Sequence, residues 1–217
     1  MGCRAVLFDM DGTVLDTLGD LHAAVNRALA EFSLPGVSTE AVRAALGNGA
    51  AWLIAHCVPA GTDAALTARV LDWYRPWYDA HCRVLTAPYP GILPLMERLR
   101  ARGVKLAIIS NKQDEAVQEL AAHFFPGLLE TAVGESAAVK RKPNPDAVLA
   151  AAARMGLAVG DCVYVGDTEV DLETARRAGM PCLAVSWGFR SAEQLREAGA
   201  EAIAHSAEEL DALLQRL

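Results

Sequence analysis

The chain is short of several things: paired cysteines, lysine, basic charge and long apolar runs. Its five cysteines (Cys3, Cys57, Cys82, Cys162, Cys182) are scattered, odd in number and never spaced CxxC. That speaks against a disulfide framework or a zinc site and for reduced thiols, the condition of a cytoplasm. No stretch is long and apolar enough to span a bilayer. The first strand pattern begins so early that no secretory signal fits before it, so the expected location is cytoplasmic. A net charge of −7 leaves no general basic face for nucleic acid or an anionic membrane surface, and neither is expected as a partner. Only four of the 20 basic residues are lysines (Lys105, Lys112, Lys140, Lys142), so arginine is the default cation here. Internal repeats and low-complexity segments are absent too.

What is present is core. Hydrophobic residues make up 53 % of the 217 and charged residues 22 %, enough for one large domain, or a core domain with an insertion. Ala5 to Phe8 reads as a buried strand that stops in Asp9, Asp11 and Gly12. From Asp16 the spacing turns helical: Leu21, Val25, Ala28, Leu29 and Phe32 share a face. Further helices are expected over about 38–47, 50–58 and 63–82, the last kinked or broken at Pro76, with no strand between Asp16 and Ala87. This region reads as a helical insertion, residues 16–87, hinged near Asp16-Thr17 and Ala87-Pro90. Residues 1–15 and 88–217 form the other unit.

After Pro90 strands and helices alternate. Strands are expected over Val104–Ile109, near Thr131–Val133, over Cys162–Val165 and Cys182–Ser186, and near Ala202–Ala204, with Ser206 and Glu209 as a capping box for the last helix. Such alternation implies an α/β fold, a doubly wound parallel sheet. In that architecture ligands bind at the carboxyl edge of the strands. Three strands there end in polar residues: Asp9/Asp11, Ser110/Asn111 and Gly166/Asp167. Between the last two lies the basic loop Lys140-Arg141-Lys142-Pro143. For Lys112 and Lys140 two readings stay open, a role in the crevice or a solvated surface.

Acids so gathered repel: unit charges about 4 Å apart cost roughly 4 kcal/mol at an effective dielectric near 20. Asp9, Asp11 and Asp167, with Asp171, therefore call for a hard divalent cation with oxygen ligands, and magnesium is the one that shares a substrate phosphate. Lys142 and Ser110 would serve the remaining phosphate oxygens.

Asp9-Met10-Asp11-Gly12-Thr13, Ser110-Asn111, Lys142-Pro143 and Gly166-Asp167 with Asp171 resemble, in order, the four motifs of the haloacid dehalogenase superfamily. The run Gly166 to Arg176 with Trp187-Gly188-Phe189-Arg190 is most similar to its phosphoglycolate phosphatase-like branch, and the insertion to the small helical cap. The resemblance implies Asp9 as nucleophile, forming an aspartyl-phosphate, and Asp11 as acid, then base. It implies Mg2+ on the side chains of Asp9 and Asp167 and the carbonyl of Asp11. Ser110, Asn111 and Lys142 would bind phosphate. Asp171 would bind a metal water or orient Lys142, and Thr13 and Asp16 would fix the loop and hinge. A protonatable Asp11 suits phosphoryl chemistry rather than dehalogenation.

The expected activity is hydrolysis of a small phosphorylated metabolite, phosphoglycolate first, by a monomer or homodimer. Other phosphatases, a pyrophosphatase and a phosphomutase stay open. A phospho-aspartate receiver domain would share the sheet edge but has no use for the insertion. For the substrate carboxylate the candidates are Arg43, Asn48, Gly49 and His56. Trp52, Trp73 and Trp77 read as cap core or interface, and Arg176-Arg177 as a response to a helix C-terminus.

Overall fold

A computed structural model describes residues 3–217 of the chain. Strand β1 (Ala5–Phe8) is fully buried, as its unbroken apolar run requires. Its side chains alternate between two cores. Val6 and Phe8 face one large cluster, while Ala5 and Leu7 face a second built with Tyr164 and the alanines of a later helix. Short β2 (Leu15–Asp16) leads to α1 (Leu18–Glu31), α2 (Thr39–Ala44), α3 (Gly49–Cys57) and α4 (Ala64–His81), and β3 (Ala87–Pro88) returns. Strands β2 and β3 pair antiparallel, Leu15 with Pro88 and Asp16 with Ala87. The segments that flank the four helices thus form a two-stranded ribbon that the sequence, read as strand-free here, does not announce.

The rest alternates: α5 (Ile92–Ala101), β4 (Lys105–Gln113), α6 (Asp114–Phe124), β5 (Thr131–Glu135), α7 (Asp146–Arg154), β6 (Cys162–Gly166), α8 (Glu169–Ala178), β7 (Cys182–Val185), α9 (Ala192–Glu197), β8 (Ile203–Ala204) and α10 (Ala207–Leu214). Six strands form one parallel sheet in the order β5-β4-β1-β6-β7-β8. Strand β1 lies at its centre, flanked by β4 and β6, so the polar ends of these three adjoin.

Three expectations are corrected. Strand β4 does not stop at Ile109 but continues through Ser110-Asn111-Lys112, with its register against β5 slipping between Ile109 and Gln113. Such irregularities re-aim side chains beside sites. Helix α4 is continuous across Pro76, which lies on its solvent side, where a carbonyl left without its partner can reach water. Ser206 caps α10, accepting from the Glu209 amide, but the Glu209 carboxylate accepts from His205 N rather than closing a box. Arg176 and Arg177 lie in the last turn of α8, as expected, and both also pair with Glu173. Helix α9 was not foreseen; Ser191 and Gln194 give it a reciprocal cap.

The helical insertion is tied down at its root. Asp20 of α1, buried, accepts from the amides of Leu85 and Thr86 and from the Thr86 hydroxyl. Among the described residues, no helix is long and apolar enough to cross a membrane.

Candidate active site

Gly12, at φ 81°, turns the chain directly after Asp11, and the Gly12 amide bonds to Leu15 O. A Cβ here would collide with the Asp167 carboxylate, so the left-handed turn and the close approach both require glycine. The turn holds Asp9 at the end of β1 against the end of β6, with Asp9 N bonded to Val165 O.

Lys142 closes this group from the other side. Its Nζ lies 2.9 Å from Asp9 Oδ1 and 2.8 Å from Asp171 Oδ1, and donates to the Tyr164 hydroxyl at 3.1 Å. The lysine side chain is only 3 % exposed. Burial pulls its pKa down, but Asp171 and Asp9 outweigh that and hold the ammonium well above its ordinary range. Asp171 is fully engaged: its other oxygen accepts from Thr168 N and Thr168 Oγ1 at the start of α8. Asp171 holds Lys142 directly, as one of its two expected roles requires.

Asp167 is wholly buried. It accepts from Thr13 Oγ1 at 2.9 Å and from Phe189 N at 2.7 Å. Burial, then Asp171 and Asp9, push its pKa well above the carboxylate range, against those two hydrogen bonds. Burial likewise raises Asp9 to about 7, opposed by Lys142 and aided by Asp171. Oxygens of Asp9, Asp167 and Asp171 lie within 4.8 Å of one another. Acids this close and this dry are what a hard cation stabilises. All three acids offer an oxygen to a divalent ion; Asp171 already accepts from Lys142, Tyr164 and Thr168, which leaves Asp9 and Asp167 the less encumbered pair. Gly188 leaves room there: a Cβ on it would meet Asp167 and the Gly12 carbonyl.

Ser110 and Asn111 reach the same edge, but differently from each other. Ser110, buried, lines the cavity beside Asp9. The Asn111 side chain is a strut: its Oδ1 accepts from Lys142 N, and its Nδ2 donates to Lys142 O and to Gly47 O of the insertion.

Lys112 is the residue that sequence reasoning left undecided, and the solvated reading is overturned. Its side chain is 4 % exposed, and its Nζ stands 3.0 Å from Asp11 Oδ1. This is an ion pair rather than an aligned hydrogen bond, since Asp11 Oδ1 has no hydrogen-bond partner. The ammonium also donates to the Tyr78 hydroxyl and lies 4.3 Å from the centre of that ring. Lys140, by contrast, is exposed and pairs with Asp146.

Asp9, Asp11, Ser110 and Lys112 line a cavity of about 60 Å³, with Leu21, Leu46, Leu53, Tyr74, Tyr78 and Phe189 also in its lining. Gly47 and Gly49 line it as well. The other candidates for substrate contact do not. Arg43 donates to Gly188 O and is exposed. Asn48 is placed by its carbonyl, which accepts from Arg141. His56 stacks on Trp52 at 3.9 Å, its Nδ1 bonded to Trp52 O, on the exposed side of α3. Helical spacing puts these residues on the insertion but cannot say which side faces the crevice. Trp73 and Trp77 pack partly buried against the core, as expected, while Trp52 is exposed. Tyr78 and Tyr164 were missed; a lone tyrosine in an apolar pattern carries no mark of its hydroxyl's partner.

A family model described as haloacid dehalogenase-like hydrolase matches residues 6–185. The chain belongs to that family. It is 35 % identical over 188 residues to a phosphoglycolate phosphatase of Xanthomonas campestris pv. campestris, covering 86 % of this chain and 85 % of that protein. A phosphoglycolate phosphatase of Pseudomonas syringae pv. tomato is 32 % identical over 200 residues, covering 89 % and 73 %. A crystal structure from Lactobacillus delbrueckii subsp. bulgaricus, provisionally designated a phosphoglycolate phosphatase, superposes with a TM-score of 0.94 at 37 % identity over 99 % of both chains.

Proposed function

We propose that this chain is a magnesium-dependent phosphatase that hydrolyses 2-phosphoglycolate, or a metabolite as small, through an aspartyl-phosphate on Asp9. The observation that carries the reading is the placement of Lys142, fixed by Asp171 and Tyr164, against Asp9, which lines a small cavity. The relatives named phosphoglycolate phosphatase support the substrate.

Each residue has a task in this reading. Asp9 attacks phosphorus, and the bond to the ester oxygen breaks as a carboxylate–phosphorus bond forms. Asp11 gives its proton to the departing oxygen, and then takes one from the water that cleaves the aspartyl-phosphate and restores Asp9. Lys142 and Ser110 meet charge on the transferring group. Asp9, Asp167 and the Asp11 carbonyl would hold Mg2+, which supplies neutralising charge for the phosphoryl oxygens and the acids around them. Residues 16–87 act as a cap over the core formed by 1–15 and 88–217; closure excludes water and bulky substrates, and opening releases product.

Phosphate release from a panel of phosphorylated metabolites, with and without Mg2+, tests the reading. Turnover that needs Mg2+, peaks with 2-phosphoglycolate and disappears in Asp9→Asn is expected. A kcat/KM for 2-phosphoglycolate no better than for p-nitrophenyl phosphate would remove the substrate assignment.

A further inference from the structure

We infer that Lys112 binds a carboxylate of the substrate, and so selects short phosphorylated hydroxy acids over neutral phosphate esters. The inference rests on the phosphatase reading and narrows it. Among the described residues lining the cavity, Lys112 is the one cation. Lys142 is committed to Asp9, Asp171 and Tyr164. Lys112 is not committed in that way. An ammonium carries three donors, and Lys112 gives one to Tyr78 while facing Asp11 as an ion pair without a hydrogen bond.

The walls argue against the alternatives. Leu21, Leu46, Leu53 and Phe189 offer a polyol nothing to replace the water it would give up. A two-carbon acid has no hydroxyls to satisfy there, and its charge finds a desolvated counter-charge, where an ion pair is stronger than in water. The first turn of α3, with Gly49 and Ala50, lines the same space, and Asn48 gives its amides no side-chain cap.

The test compares 2-phosphoglycolate with 2-hydroxyethyl phosphate, which keeps the chain length and replaces the carboxylate by an alcohol. Wild-type enzyme is expected to favour the acid by roughly 100-fold in kcat/KM, and Lys112→Met to reduce that preference to about fivefold or less. Lys112→Arg, which keeps the charge, retains most of it. The ratio cancels any loss that comes through Asp11, because both esters need the same acid. An unchanged ratio in Lys112→Met, with both rates lowered together, overturns the assignment. Wild type hydrolysing both esters equally overturns it too, while leaving the phosphatase reading intact; wild type hydrolysing neither removes that reading.

A measurement on the unmodified enzyme avoids any question of folding. Glycolate should inhibit p-nitrophenyl phosphate turnover at least about tenfold more strongly than ethylene glycol, and equal inhibition contradicts the proposal.

Discussion

Lys142 Nζ lies 2.9 Å from Asp9 Oδ1, buried with it and held in place by Asp171. The pair joins the basic loop before α7 to the end of the central strand. Each charge is stable in the interior because the other is there.

Removing the lysine therefore has two consequences. Lys142→Met leaves Asp9 and Asp171 buried without their cation, and breaking a buried pair in this way costs about 3–5 kcal/mol. Chemical denaturation in the absence of Mg2+ should show a loss of that order. The variant should also release no phosphate above background at Mg2+ concentrations that saturate the wild type. Full stability would mean that the pair is not the structural keystone described.

Acid and metal should compete for the same carboxylates. Burial raises Asp9 to about 7 and moves Asp167 in the same direction. The folded state thus holds these protons more tightly than the unfolded chain, whose carboxylates titrate near about 4. The stability they confer is complete below that range and is lost as pH rises through about 7. Bound Mg2+ offsets the loss. Thermal melts should show a Mg2+-induced rise in Tm that is small at about pH 5.5 and grows through neutrality. A shift of equal size at every pH would contradict this.

Much of this site is legible before any coordinates. The acids after β1 and Asp167 after β6 stand at strand ends, where chemistry in a parallel sheet is placed, while Ser110 lies within β4 and Lys142 in the loop before α7. Hydrophobic period alone locates those strands. The second layer is not legible. That Asn111 ties the Lys142 loop to Gly47, or that Tyr78 meets Lys112 from α4, depends on pairings across long sequence separations. The polar run Ser110-Asn111-Lys112 reads as a loop for the same reason: its burial inside β4 follows from partners on other elements. His56 and Arg43 lie outside the cavity lining, because helix orientation, which residue type does not reveal, turns them to other partners.

Gly188 offers a probe of the proposed cation site outside its ligands. A Cβ at this position would press on Asp167 and on the Gly12 carbonyl. Gly188→Ala should weaken Mg2+ binding by roughly 10- to 100-fold, the usual effect of disturbing a ligand's support. Calorimetric titration of Mg2+ measures it, with circular dichroism confirming that the fold persists. Unaltered affinity would place the ion away from Asp167.

Covalent chemistry at Asp9 is open to direct observation. Enzyme mixed with 2-phosphoglycolate and Mg2+, acid-quenched within a single turnover and digested, can be read by mass spectrometry. The peptide containing Asp9 should carry one HPO3 group, at a level that rises and decays as glycolate and phosphate form. Product appearing through a full turnover with that peptide never modified, or the group found on Asp11 instead, would contradict the mechanism.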